Sequence, residues 1–149
     1  MTTTTAPSVQ SPSSRAGLLG TSSVVVAAVC TTLFAHDWGE VLFSVVLMAI
    51  VGAVIFVVVV PRALRKPTAG GTALGLAVPA FLLVLPAFWS GLPLILGVAG
   101  LVVGNHGRMA SSGARKCIAA VVLGSLAVLG YVAIYVLSGV AGETGFLLD

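Results

Sequence analysis

The sequence predicts an all-α integral membrane protein with five transmembrane helices, its N-terminus inside and its C-terminus outside. Three observations predict it. Hydrophobic side chains make up 58% of the 149 residues and charged ones 7%, against about 45–50% and 25% in soluble domains. Uncharged apolar runs of membrane-crossing length recur along the chain. The few charges are sorted by sign, basic and acidic clusters alternating between the runs. Seven basic and four acidic side chains cannot dress a water-soluble globule of this size, so most of the surface must face lipid.

Residues 1–16, rich in Thr, Ser and Pro, hold almost nothing to bury and are expected to form a flexible cytoplasmic tail. Gly17 to Ala35 follows as the first span (17–35). It is diluted by Ser22, Ser23, Thr31 and Thr32. Its 19 residues exceed the ~7–15 of a signal-peptide apolar region, and no A-x-A site follows, so it is read as retained. The second span (41–60), Val41 to Val60, has twenty residues without a charge. At about 1.5 Å per residue it covers the ~30 Å hydrocarbon core, and Pro61 is expected to end it.

The run from Gly71 to Val103 is too long for one crossing, since its 33 residues would reach roughly 50 Å as a single helix. It also contains Pro79, Pro86, Gly91 and Pro93, each unfavourable in a helix interior. "WSGLP" (Trp89 to Pro93) carries the chemistry of a turn between helices. Trp89 suits the membrane interface, Ser90 is the expected N-cap, Gly91 frees the backbone and Pro93 falls in the next first turn. Two short spans result, 71–88 and 92–107. Cys117 to Ser138 is the fifth (117–138), leaving 141–149 as a short outer tail.

Charge supports the turn. With five crossings Arg15, Arg62, Arg65, Lys66, Arg108, Arg115 and Lys116 all lie on one side, and Asp37, Glu40, Glu143 and Asp149 on the other. A single long third helix would put the clusters at 62–66 and 108–116 on opposite faces, against the cytoplasmic preference of Lys and Arg. The basic residues flank apolar spans instead of forming a stripe with aromatics, so nucleic acid is not an expected partner.

Candidate chemical groups are few. The outer loop "HDWGE" brings His36, Asp37 and Glu40 together, which could mark a metal or proton site. Asp37 followed by Glu40 three residues later reads better as a helix start of capping-box type, with Trp38 anchoring at the headgroups. His106 has no partner histidine at helical spacing. Cys30 and Cys117 stand apart without CxxC spacing and suggest neither a disulfide framework nor a metal site. Cys117, at the inner end of its span, is expected to react with membrane-permeant thiol reagents. The basic loop residues Arg62, Arg65, Lys66, Arg108, Arg115 and Lys116 are candidate anionic-lipid contacts as well as determinants of orientation.

Apart from His106, at the very end of the fourth span, no Asp, Glu, Lys, Arg or His lies inside the five spans. Such residues persist in membranes chiefly where ion pathways need them, so proton-coupled transport and intramembrane carboxylate proteolysis are not expected. Ser44, Ser125, Thr31 and Thr32 have no base near them in sequence within their spans to activate them. No catalytic residue, cofactor or metal ligand is assigned.

Small residues carry the strongest pattern. Gly97, Gly100, Gly104 and Gly107 recur at steps of three and four, which predicts one glycine face on the fourth span. On the fifth, Ala120, Gly124, Ala127 and Tyr131 recur likewise. Such stripes let helix backbones approach where lipid removes the hydrophobic drive. Repeated Leu-Gly pairs among the last three spans are too slight to define a repeat.

"LGVAGLVVG" (Leu96 to Gly104), a basic Gly-containing loop and "IAAVVLG" (Ile118 to Gly124) follow one another in the part from Leu92 to Val140. This arrangement resembles an uncharacterised Gly-rich two-helix domain of small bacterial multi-pass membrane proteins. The resemblance covers about a third of the chain. It implies a bacterial plasma-membrane protein and brings no catalytic residue. The expected function is that of an accessory, structural or assembly subunit acting through helix–helix contacts, not an enzyme. Its partners would be the lipid bilayer and other membrane proteins or a second copy. The alternative is a transporter or channel component that forms a pore on oligomerisation.

Overall fold

A computed structural model describes residues 12–35, 37–66, 69–108 and 113–141. The expected tails over 1–11 and 142–149 and the loop residue His36 lie outside the described residues. Five helices follow one another: α1 (Pro12–Phe34), α2 (Trp38–Leu64), α3 (Ala69–Leu83), α4 (Leu92–Gly107) and α5 (Ala114–Val140). No strand occurs among the described residues.

Three helices, Ala16–Phe34, Trp38–Leu64 and Ala114–Val140, are long and apolar enough to cross a membrane. The other two are apolar but shorter, at 15 and 16 residues.

Helix α1 begins at Pro12, inside the stretch expected to be tail. Proline is at home in a first turn, where its missing N–H is not needed. Apart from Thr31, the hydroxyls that dilute this helix fold back on its own carbonyls. Thr21 donates to Gly17 O at 3.0 Å, Ser23 to Gly20 O at 2.8 Å and Thr32 to Ala28 O at 2.7 Å. A self-satisfied hydroxyl costs little in an apolar medium, so the dilution does not break the helix.

Helix α2 starts where Asp37 caps it. The Asp37 backbone is extended, and its Oδ1 accepts from the Glu40 N–H at 2.8 Å. Its far end corrects the sequence expectation, because Pro61 does not end the helix. Val54–Val59 widens into a π-helical turn, and the α-helix resumes over Val60–Leu64. Pro61 then sits in the first turn of the resumed segment, where no N–H is called for.

Helix α3 ends at Leu83, five residues before the expected boundary. Pro86 offers no N–H and disfavours helical backbone at Leu85. Turns through Ala87 and a 3₁₀ turn over Phe88–Ser90 lead to Gly91, whose φ of +66° reverses the chain. The N-cap of α4 is Gly91 and not Ser90, as expected from the sequence. The Ser90 hydroxyl donates to Ala87 O at 2.6 Å, closing the 3₁₀ turn, and also accepts from the Leu92 N–H at the start of α4 at 3.4 Å. Pro93 falls in the first turn of α4.

Close contacts fix the register. Positions 20 and 52 of α1 and α2 face Phe56 and Val24, which makes that pair antiparallel. Gly100 meets Ala77 and Gly107 meets Ala69, so α3 and α4 are antiparallel. Gly97 meets Val128 and Gly104 meets Val121, so α4 and α5 are too. Gly70 lies by Cys117 and Gly130 by Val84, so α3 and α5 run parallel. Helices α3, α4 and α5 form a mutually packed triangle, and the α1–α2 pair docks chiefly on α4.

Helix α4 is therefore central and touches all the others. Pro93, Leu94, Ile95, Gly97, Ala99, Gly100, Val103, Gly104 and Gly107 are buried along it. Size is sorted in reverse of a soluble core. Ala27, Ala73, Ala77, Ala99, Ala120 and Ala127 are buried, while Leu42, Phe43, Ile50, Val57, Leu129 and Leu137 are exposed. Small residues inside allow close backbone approach, and large apolar ones outside suit lipid.

Candidate functional site

The glycine stripe of α4 is a packing seam, divided between two neighbours. A Cβ on Gly97 would lie 3.1 Å from Val128 and 3.2 Å from the Gly124 carbonyl, and one on Gly104 3.0 Å from Val121 and 3.1 Å from the Cys117 carbonyl. Both point at α5. A Cβ on Gly100 would lie 3.1 Å from the Ala77 Cβ and 3.2 Å from its backbone nitrogen, towards α3. Gly107 points at the α3–α5 seam, its Cβ 2.8 Å from Cys117 Sγ and 3.2 Å from Ala69. The single glycine face expected from the sequence is thus two.

The reciprocal residues on α5 complete the seam. Ala120, Gly124 and Ala127 are buried, and a Cβ on Gly124 would come within 2.9 Å of the Gly97 carbonyl. Tyr131 is also buried. Cys117 has none of its surface exposed, its sulfur enclosed by Gly70 and Gly107. The thiol expected to meet permeant reagents is therefore shielded. Cys30 is half-buried, and both cysteines are free.

Because the helices alternate in direction, the end of α2, the start of α3, the end of α4 and the start of α5 share one end of the bundle. Arg62, Arg65, Lys66, Arg108, Arg115 and Lys116 are gathered there, all exposed. None forms a salt bridge among the described residues, and no Asp or Glu occurs anywhere between Val41 and Gly142. Arg115 and Lys116 stand in the first turn of α5, which has no acidic residue there and no side-chain cap from Gly113. Cations at a helix start oppose the helix dipole.

Asp37 and Glu40 lie at the opposite end, with Trp38 exposed beside them. Among the described residues no group of three or more His, Cys, Asp or Glu side chains could hold a metal ion. His106 is exposed in the last turn of α4.

Sequence reasoning missed a hydroxyl cluster near the acidic end. Thr31 of α1 donates to the Trp89 carbonyl at 3.3 Å, which ties α1 to the α3–α4 turn. Tyr131 and Tyr135 of α5 stand with ring centroids 4.8 Å apart, and Phe34 and Phe88 pack edge-on against Tyr135 at 5.0 and 6.0 Å. The Tyr131 hydroxyl and Ser44 Oγ are buried without a hydrogen-bond partner among the described residues. The helical step that placed Tyr131 on the small-residue stripe was a signal that it faces inward. Its hydroxyl can hydrogen-bond, but no acid or base at that depth can activate it.

Set against known proteins, the chain matches no family model, no curated protein and no solved structure, so its sequence and geometry alone bear on its function.

Proposed function

We propose that the chain is a five-span plasma-membrane protein, N-terminus inside and C-terminus outside, that serves as an accessory, structural or assembly subunit through helix–helix contacts. The observation that carries this reading is what the bundle interior contains. Among the described residues the buried positions hold glycine, alanine, larger apolar side chains and a few hydroxyls, and no Asp, Glu, Lys, Arg or His. Five crossings are supported by the alternation of helix direction, which separates the exposed basic residues from Asp37 and Glu40. The bacterial source and the plasma membrane are proposed from the sequence resemblance noted for Leu92 to Val140, which no family model matches.

The glycine seam is filled from within the chain, so a partner would meet other surfaces. Leu42, Phe43, Val46 and Ile50 line a wholly apolar groove on α2. Val122, Leu126, Leu129 and Val136 are exposed on α5. Either face suits lipid, another membrane protein or a second copy.

A reporter fused after Asp149 should be exported, and one inserted between Arg62 and Lys66 should stay cytoplasmic. Finding both on one side overturns the five-span reading. Purification in mild detergent with a fixed membrane partner supports the subunit role. The second reading is a pore formed between copies on oligomerisation. Solute flux or ion conductance from the purified protein alone would favour it.

A further inference from the structure

The basic end is more than an orientation signal, because packing concentrates its charge at one corner. Gly70 of α3 lets Lys116 of α5 approach, since a Cβ there would lie 3.2 Å from both the Lys116 Cβ and the Gly113 carbonyl. Gly107 seats the last turn of α4 against Ala69 and Cys117, and Arg108 follows at once. The two glycine contacts bring the end of α4, which Arg108 follows, and the first turn of α5, which carries Arg115 and Lys116, to the place where α3 begins. No acidic side chain is available in this part of the sequence to offset them. Like charges held at the end of a rigid bundle repel, and both bases of α5 also oppose the dipole of their own helix. An external anion relieves both penalties at once.

We propose that this corner, formed by Arg108, Arg115 and Lys116, binds the phosphate of an anionic phospholipid headgroup. The inference rests on the five-span reading, which sets the corner at the depth of the cytoplasmic headgroups. Arginine supplies planar paired donors for phosphate oxygens, and lysine a mobile point charge. The lipid's acyl chains then lie along the exposed apolar side chains of α5, beginning with Ile118 one residue past Lys116. A free phosphate would gain from the charges but not from that apolar wall, which is why a lipid is the favoured source.

The test uses the full chain, delipidated in a neutral detergent. Short-chain phosphatidylglycerol, phosphatidylcholine of the same chain length and inorganic phosphate are each titrated, and the thermal midpoint is read. Phosphatidylglycerol should raise the midpoint, the rise should shrink as salt is added, and the other two should give little. The triple variant Arg108→Gln, Arg115→Gln, Lys116→Gln should lose most of the rise, whereas Asp37→Asn, at the opposite end of the bundle, should keep it. An equal rise with phosphatidylcholine overturns the proposal, as does equal loss in both variants. A full rise with inorganic phosphate alone overturns the lipid as source. The salt dependence is read on the unaltered protein and holds even if a variant does not fold. A protein that passes the reporter test yet shows no headgroup preference overturns this inference and leaves the five-span reading standing.

Discussion

Gly100 of α4 and Ala77 of α3 meet so closely that one added methyl on the glycine would stand 3.1 Å from the alanine Cβ and 3.2 Å from its backbone nitrogen. Neither contact atom can move without moving a helix. Gly104 makes the matching approach to α5, 3.1 Å from the Cys117 carbonyl. Gly100→Leu or Gly104→Leu should therefore destabilise the protein by at least the ~1–3 kcal/mol typical of overpacking. Val98→Leu, at a half-buried position of the same helix, should cost less. Thermal unfolding in detergent compares the three, and equal tolerance would make the seam incidental.

Asp37→Ala should lose the cap on α2, in which the carboxylate accepts from the Glu40 N–H at 2.8 Å. A cost of about 0.5–2 kcal/mol is expected, with Asp37→Ser recovering much of it. Failure of Ser to recover any stability would point to a role for the charge instead of the cap.

Tyr131→Phe should leave stability unchanged or raise it. The ring is fully buried and its hydroxyl has no partner among the described residues, so removing the oxygen removes an unpaid desolvation. A midpoint lowered by more than about 3 °C, roughly 1 kcal/mol for a chain of this size, would show that the hydroxyl is bonded in the membrane.

Reconstituted in liposomes, the protein alone should neither dissipate a pH gradient nor use one to accumulate solute. Its span interiors hold hydroxyls such as Ser44 and Ser125 but no group that takes up charge. Gradient-driven uptake that disappears with Asp37→Asn or Glu40→Gln would overturn both this expectation and the subunit reading.

Much of the architecture could be read from the residues. The reversal at "WSGLP" followed from length and proline, and the helix start at Asp37 from its spacing to Glu40. Pro61 misled because a proline marks a missing N–H, while only the preceding backbone decides whether that N–H is needed. The π-turn over Val54–Val59 removes the need, and a run of valines gives no sign of it. The divided glycine seam has a geometric cause. At about 100° per residue, positions seven apart nearly coincide, whereas the Gly97/Gly104 and Gly100/Gly107 pairs are offset by roughly 60°. Two neighbours of a central helix in a triangle are separated by a similar angle. Sequence periodicity sees one broad face there, because it does not know how many neighbours share it. Cys117 was misjudged for the same reason. Its place near a span end suggested access, but Gly70 and Gly107 bring two other helices over the thiol.

The shortness of α3 and α4 has a consequence for how the protein is made. Each reaches only about 22–24 Å, less than the ~30 Å hydrocarbon core, and no charged residue between them pins the turn on one side. A ribosome delivering α3 alone would present the insertion machinery with a segment that has weak reason to stay. Delivered together, the two form a hairpin whose glycines and alanines are matched to each other before α5 exists. On the five-span proposal, entry as a pair followed by docking of α5 parallel to α3 is the expected order of assembly. A reporter that ends the chain just after Ser90 should consequently be exported less completely than the same reporter inserted there in the full chain, because α1 and α2 anchor both and only the second has α4 to hold α3 across.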